Sequence, residues 1–263
     1  MGEQMKIDIE TLRKTSGIGS KTLERIIKQH EVDNNIKSFK SVYIESDKYK
    51  LDKDINLWQG DCLELMNHIP DKSVDMILAD LPYGTTACNW DEVIPFKPLW
   101  SHYKRIIKDN GAIVLFGSEP FSTKLRMSNL DWYKYDWIWE KNNSTGFQLA
   151  NKRPLKDYEM ISVFCESVGN YNPQGLKEYG KENKRGGMGQ NWGKMKHNNY
   201  IQKYTNYPRQ IIKCPSDTAK FHSTQKPAQL LEYLIKTYTD ENMLVLDNTM
   251  GSVTTGVAFK NIN

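Results

Sequence analysis

The four residues Asp80-Leu81-Pro82-Tyr83 follow an apolar run, Val74-Asp-Met-Ile-Leu-Ala79, that reads as a strand, and Gly84 closes the segment. In an α/β sheet, ligands sit beyond the carboxyl ends of strands, so a site is expected at this loop. Pro82 holds Leu81 extended and Gly84 permits a sharp exit. The loop therefore offers a carboxylate, a main-chain carbonyl and an aromatic face together. An exocyclic amine on an aromatic ring is a weak nucleophile, because its lone pair is delocalised into the ring. Two acceptors on its N–H bonds favour a pyramidal, more nucleophilic nitrogen, and an aromatic face can stack on the ring. A nucleobase would have to leave the duplex stack to reach such a loop.

Three other segments carry chemistry. Asp247-Asn248-Thr249-Met250-Gly251-Ser252-Val253-Thr254-Thr255-Gly256 follows the strand candidate Met243–Leu246 and opens a helix. A glycine turn of this kind lets the backbone approach a ligand, and the helix start favours an anionic group. Gly60-Asp61-Cys62 precedes the first strand-and-loop unit, and His222-Ser223-Thr224-Gln225-Lys226-Pro227 precedes a later helix. Both also read as helix starts, with Asp61 as a cap and Pro227 as a first-turn proline.

These segments need a frame. From residue 55 onward short apolar runs alternate with amphipathic stretches, the pattern of a mainly parallel sheet with covering helices. Strands are expected at Ile55–Gln59, Val74–Ala79, Ala112–Phe116, Tyr135–Glu140, Glu159–Phe164 and Met243–Leu246. Helices are expected at Cys62–Ile69, Pro95–Ile107, Pro120–Met127, Pro227–Thr239 and from Val253. No helical stretch separates 135–140 from 159–164, so these two are expected as an antiparallel pair at one edge. Residues 1–50 read as a helical appendage ending in a polar linker. Within it, Leu12 to Ile27 reads helix, Gly17-Ile18-Gly19 turn, helix. That segment resembles a helix-hairpin-helix, in which Gly17, Gly19 and Lys21 would meet a DNA phosphate; an ordinary packing hairpin or a helix-turn-helix of another kind is the alternative.

The chain has 263 residues, 38% hydrophobic and 26% charged, which excludes wholesale disorder. No apolar run approaches the ~18 residues that span a bilayer, and the first thirty residues lack a secretory pattern. Cys62, Cys88, Cys165 and Cys214 are too scattered for a disulfide frame or a zinc site. A cytoplasmic protein without metal or membrane partner is expected. Net charge is only +4, but residues 167–226 hold eleven Lys/Arg against three acids. The segment 167–221, rich in Gly, Asn, Lys and Tyr, breaks the α/β rhythm and suits either a polyanion-binding insert or a solvated loop.

Asp80-Leu-Pro-Tyr83 resembles the D/N/S-P-P-Y signature of the amino-methyltransferases, which act on adenine N6 or cytosine N4 in DNA. Leu81 departs from the usual first proline, though its carbonyl is kept. The 247–256 loop resembles the family's D-x-F-x-G-S-G-T-T loop, with Val253 in place of the second glycine. Gly60-Asp61-Cys62 resembles its G-D-C element, and His222–Pro227 its H-P-T-Q-K-P segment. The order of these pieces, with the catalytic loop before the insert and the cofactor loop last, resembles the circularly permuted (β-type) group. The resemblance implies a Rossmann-like α/β fold and S-adenosylmethionine as cofactor. It assigns catalysis to Asp80, Leu81, Pro82 and Tyr83, and the cofactor to Asp61, Thr224, Lys226, Asp247, Thr249, Gly251, Ser252 and Thr254. It makes residues 51–263 the methyltransferase domain and 167–221 a target-recognition insert, where Lys184, Arg185, Lys194 and Lys196 would bind phosphate. The partner implied is duplex DNA with a flipped base; a homodimer is left open. Asp in the first position of the signature favours adenine. The family's next strand after the cofactor loop, with its ribose-binding acid, would follow Asn263. A truncated or split enzyme, weak in cofactor affinity, is therefore an expectation. Cytosine N4, an RNA base, and a catalytically silent DNA-binding relative are the alternatives.

Overall fold

The computed structural model describes residues 45–46, 49–50, 55–86, 88, 91–184, 199–216, 225–251 and 254–262. In chain order the strands are β1 (Glu45–Ser46), β2 (Tyr49–Lys50), β3 (Val74–Ala79), β4 (Ile107–Gly117), β5 (Tyr133–Thr145), β6 (Lys156–Phe164), β7 (Lys177–Lys184), β8 (Asn199–Thr205), β9 (Ile211–Lys213) and β10 (Val245–Leu246). The helices are α1 (Cys62–Leu65), α2 (Phe96–Ile106), α3 (Phe121–Ser128), α4 (Ala228–Tyr238) and α5 (Thr254–Ile262). Six strands form one mixed sheet in the order β10-β3-β4-β6-β5-β9. β10, β3 and β4 run parallel, β6 is antiparallel to both β4 and β5, and β9 is parallel to β5.

The sheet is covered on both faces, and the alternation along its central strands shows it. Met76 and Leu78 of β3, with Ala112, Val114 and Phe116 of β4, point to a core shared with α4 and α5. Ile77 and Ala79, with Ile113 and Leu115, point the other way, into a core with α2 and α3. Hence β3 and the last seven residues of β4 are buried throughout, as strands covered on both faces require. Helix α4 begins after Pro227 and buries Leu230, Leu231, Leu234, Ile235 and Tyr238, one stripe at helical spacing. α2 does the same with Leu99, Trp100, Tyr103 and Ile106. No helix among the described residues is long and apolar enough to cross a membrane.

Four expectations are corrected. Ile55–Gln59 is not a sheet strand: only Trp58 makes an isolated pairing. β10 pairs with β3 alone among the described strands, so no ladder is present for this segment. The β5–β6 pair is antiparallel but not at the edge, because Ile211–Lys213 adds β9 outside β5. The segment 167–221 is not without regular structure, since β7 and β8 form an antiparallel hairpin within it. Its residues Lys-Glu-Tyr-Gly-Lys-Glu-Asn-Lys show no apolar alternation, because both faces of this ribbon are largely open to water. β1 and β2 form a short ladder where a linker was expected. The helical appendage with Gly17, Gly19 and Lys21 lies outside the described residues, as do Arg185, Lys194, Lys196, Thr224 and Ser252. Lys184 ends β7.

Candidate active site at the ends of the central strands

β3 and β10 are parallel neighbours, with Val245 beside Met76 and Leu246 beside Ile77. Their carboxyl ends therefore deliver Asp80 and Asp247 side by side. The two loops are joined directly: the Thr249 hydroxyl donates to the Asp80 main-chain carbonyl at 3.2 Å. The Gly60–Cys62 turn reaches the same place. Asp61 caps α1, accepting from the Leu63 and Glu64 amides at 2.7 and 3.4 Å, and Cys62 meets the Asn248 side chain. Tyr103 of α2 donates to Asn248 Oδ1 at 2.6 Å.

The Asp80–Tyr83 loop is braced from within and below. Leu81 is buried among the side chains of the α2/α3 core, which accounts for an aliphatic residue where the family signature has proline. Tyr83 donates to Asp80 Oδ1 at 2.7 Å, and its ring stacks on Phe121 with centroids 5.0 Å apart. Burial, then the Asp80 and Glu159 carboxylates, hold the Tyr83 phenol well above its ordinary range, so it stays a donor. Beyond it, the buried Asp91 carboxylate accepts from the amides of Gly84, Thr85 and Thr86 at 2.9, 2.9 and 2.7 Å. Burial pushes its carboxyl up, but hydrogen bonds from Thr86, Gly84 and Thr85 outweigh that and leave it below the usual range. Gly84 takes φ +65°, and a Cβ there would lie 2.8 Å from Val93.

Lys226, expected among the cofactor residues, also links the loop to the sheet: its ammonium sits 2.5 Å from Asp80 Oδ2 and 3.2 Å from Glu159 Oε2. It lies 5.1 Å from the Phe116 ring centroid, within cation–π range. Burial pulls its pKa down, yet the two carboxylates outweigh burial and the net shift is upward. Glu159 of β6 responds in kind: burial raises its pKa, and Lys226 with Lys141 carry it below the ordinary value. Asp80, Glu159, Lys141 and Lys226 thus form a charge-balanced cluster, with Lys141 paired to Glu159. Glu159 was missed. The available signal was its register: it alternates with Ile161 and Val163, both buried, so an acid fell in line with the core face.

On the other loop, Asp247 accepts from the Thr249 amide at 3.0 Å and the Thr255 hydroxyl at 2.5 Å. Burial pushes its carboxyl up to about 6, with Asp80 adding to the effect against those two donors. Gly251 adopts φ +48°, where a Cβ would meet the Thr249 carbonyl oxygen at 3.9 Å, and Thr254 begins α5. A carboxylate, two hydroxyls, a left-handed glycine and a helix start converge here. That donor set fits a ligand with both ammonium and carboxylate groups.

The DNA methylase family of N6/N4 methyltransferases matches residues 74–263, and the chain belongs to this family. It is 30% identical over 235 residues to the type II methyltransferase M.HinfI of Haemophilus influenzae. That match covers 77% of this chain but only 60% of the relative's length. Among solved structures, the cytosine-N4-specific PvuII DNA methyltransferase superposes with a TM-score of 0.58 at 15% identity, covering 78% of each chain. The M1.HpyAVI–SAM complex gives 0.50 at 24% identity, covering 78% of this chain and 87% of the other. These two likenesses establish the fold.

Proposed function

We propose that this chain transfers the methyl group of S-adenosylmethionine to the exocyclic N6 amine of adenine in DNA, with the base turned out of the duplex. The observation that carries the reading is the Thr249–Asp80 hydrogen bond. It ties a loop suited to an amino-acid-like ligand to a loop suited to an amine. Family membership supports DNA methylation as the activity. Aspartate at the first signature position favours adenine over cytosine N4.

Asp80 and the Leu81 carbonyl accept the two amine protons, Pro82 holds that carbonyl in place, and Tyr83 stacks on the base. To reach Asp80 Oδ1 the amine displaces the Tyr83 hydroxyl, which frees that ring to turn onto the base. The oxygen on Lys226 stays fixed, so the other oxygen is the one offered to substrate. S-adenosylmethionine supplies an electrophilic methyl on a sulfonium. Asp247, Thr249, Gly251, Ser252 and Thr254 would hold its amino-acid end beside α5. Asp61, whose Oδ1 takes both cap amides, keeps a second oxygen for the adenine amino group. When the target nitrogen gains its methyl, Asp80 is the acceptor for the proton it must lose. In this reading residues 51–263 are the methyltransferase domain, and 167–221 reads the target. The β7–β8 ribbon supports that use: Tyr200, Ile201, Gln202, Lys203, Tyr204 and Tyr207 line a shallow hollow of about 470 Å³. This hollow shares no residue with the catalytic loop.

The test is tritiated-methyl transfer to mixed-sequence duplex DNA, followed by mass analysis of the nucleosides. N6-methyladenine is expected. N4-methylcytosine would overturn the base assignment, and no transfer would favour a silent DNA-binding relative. Asp80→Ala should abolish transfer and leave DNA binding within about threefold; an active variant would remove Asp80 from catalysis.

A further inference from the structure

The β5–β6 hairpin continues past the sheet at the end where Asp80 lies. Its stem is part of the site. Glu159 of β6 meets Lys226 and lies 3.5 Å from the Tyr83 hydroxyl, and Lys141 of β5 pairs with Glu159. Beyond that stem the hairpin tip, residues 146–156, has three properties that a plain connecting turn does not need.

The first is a well-built turn that holds apolar side chains in water. Gly146 takes φ +90° and starts a 3-10 turn over Phe147–Leu149. The amides of Leu149, Ala150, Lys152 and Arg153 close back onto the carbonyls of Gly146, Phe147 and Leu149 at 2.8–3.1 Å. Thr145 bonds the Lys156 carbonyl across the neck. Yet Phe147 is 67% exposed and Leu149 38%. The backbone is ordered and the large side chains are left outside, an arrangement that suits a partner.

The second is charge. From Lys141 to Lys156 the sequence has Lys141, Lys152, Arg153 and Lys156 and no acid. Among the described residues, only Lys141 of these four is paired with a carboxylate. Lys156 is held below the usual lysine range by burial, with Lys141 and Arg153 adding to it against Glu159 and Glu119. The third is position, since a base entering the Asp80 loop brings its own strand past this tip. Cations beside an exposed aromatic and a leucine match nucleic acid: phosphates take the charges, and an apolar wedge enters between base steps.

We propose that the 146–156 tip is a DNA-contacting wedge beside the catalytic loop. Phe147 and Leu149 pack into the stack next to the outgoing base, and Lys152, Arg153 and Lys156 hold the flanking phosphates. This rests on the reading of the Asp80 loop as a DNA methylation site. It adds a second DNA element to the 167–221 insert.

Two variants of the full chain test it, Phe147→Ala and the pair Lys152→Gln/Arg153→Gln. All three positions are exposed, so thermal melts should match wild type. The charge variant should reduce the slope of log K against log salt for duplex DNA by about 1–2, one phosphate per cation. Phe147→Ala should slow methylation of a paired target by about tenfold, and by much less when the target base is mismatched and already easy to expel. Unchanged salt slope, together with an equal Phe147→Ala effect on paired and mismatched targets, would overturn the proposal. If the wild-type chain binds DNA but transfers no methyl, the function reading fails. The salt slope then decides the contact by itself.

Discussion

Lys226→Met is the most searching perturbation of the site. At an effective dielectric near 20, unit charges at the Lys226–Asp80 and Lys226–Glu159 separations attract by roughly 7 and 5 kcal/mol. Desolvation of a buried ammonium offsets much of that, and breaking such a pair costs about 3–5 kcal/mol. For a chain of this size, that is a fall in Tm of roughly 10 °C. Glu159, whose folded pKa is lowered, contributes stability above its unfolded value near 4.5 that is lost as pH falls through the folded pKa. The gap between variant and wild type in urea melts should therefore be widest at neutral pH and narrow in acid. Methyl transfer should drop with kcat, not KM for DNA, because Asp80 loses the contact that fixes Oδ2. Adding Asp80→Asn to Lys226→Met should restore about 1–3 kcal/mol by removing the carboxylate left without its cation, since Glu159 keeps Lys141. A loss below about 1 kcal/mol at pH 7, or no recovery in the double variant, would refute the view that this cluster holds the Asp80 loop.

Two further outcomes follow from the same geometry. Asp247 carries a folded pKa raised from 3.8 to about 6, so its ionisation opposes folding increasingly as pH rises between those values and fully above them. Asp247→Asn should stabilise the chain at pH 8 by about 1–3 kcal/mol in thermal melts while weakening S-adenosylmethionine binding in calorimetry. Asp91→Asn keeps one acceptor for three amides and should cost about 1–2 kcal/mol, with methylation falling more than DNA binding as the segment behind Tyr83 loosens.

The two loops were legible in the sequence because each is local: a strand, an acid and a glycine turn lie within ten residues. Their neighbourhood was legible only through the family resemblance. The Lys226–Glu159 contact was not legible, since it joins a helix start to a strand across the sheet. The sequence around Lys226 points equally well to a ligand and to a helix cap. β9 has three residues and its apolar pair, Ile211-Ile212, is too short to distinguish from a turn. The β7–β8 ribbon carries its tyrosines on a surface with no core, so no periodicity marks it.

Leu81 has a consequence for how substrate gets in. Its side chain is keyed into the core between helices α2 and α3, while Asp80 before it meets Lys226 and Tyr83. The loop therefore cannot slide or swing as a lid without opening the interior. What can change is side-chain rotation, chiefly of the Tyr83 ring once its hydroxyl leaves Asp80. On the proposed function, admission of a base would then depend on how readily the nucleic acid deforms, and the sequence context of the target, through its stiffness, would become part of the selectivity.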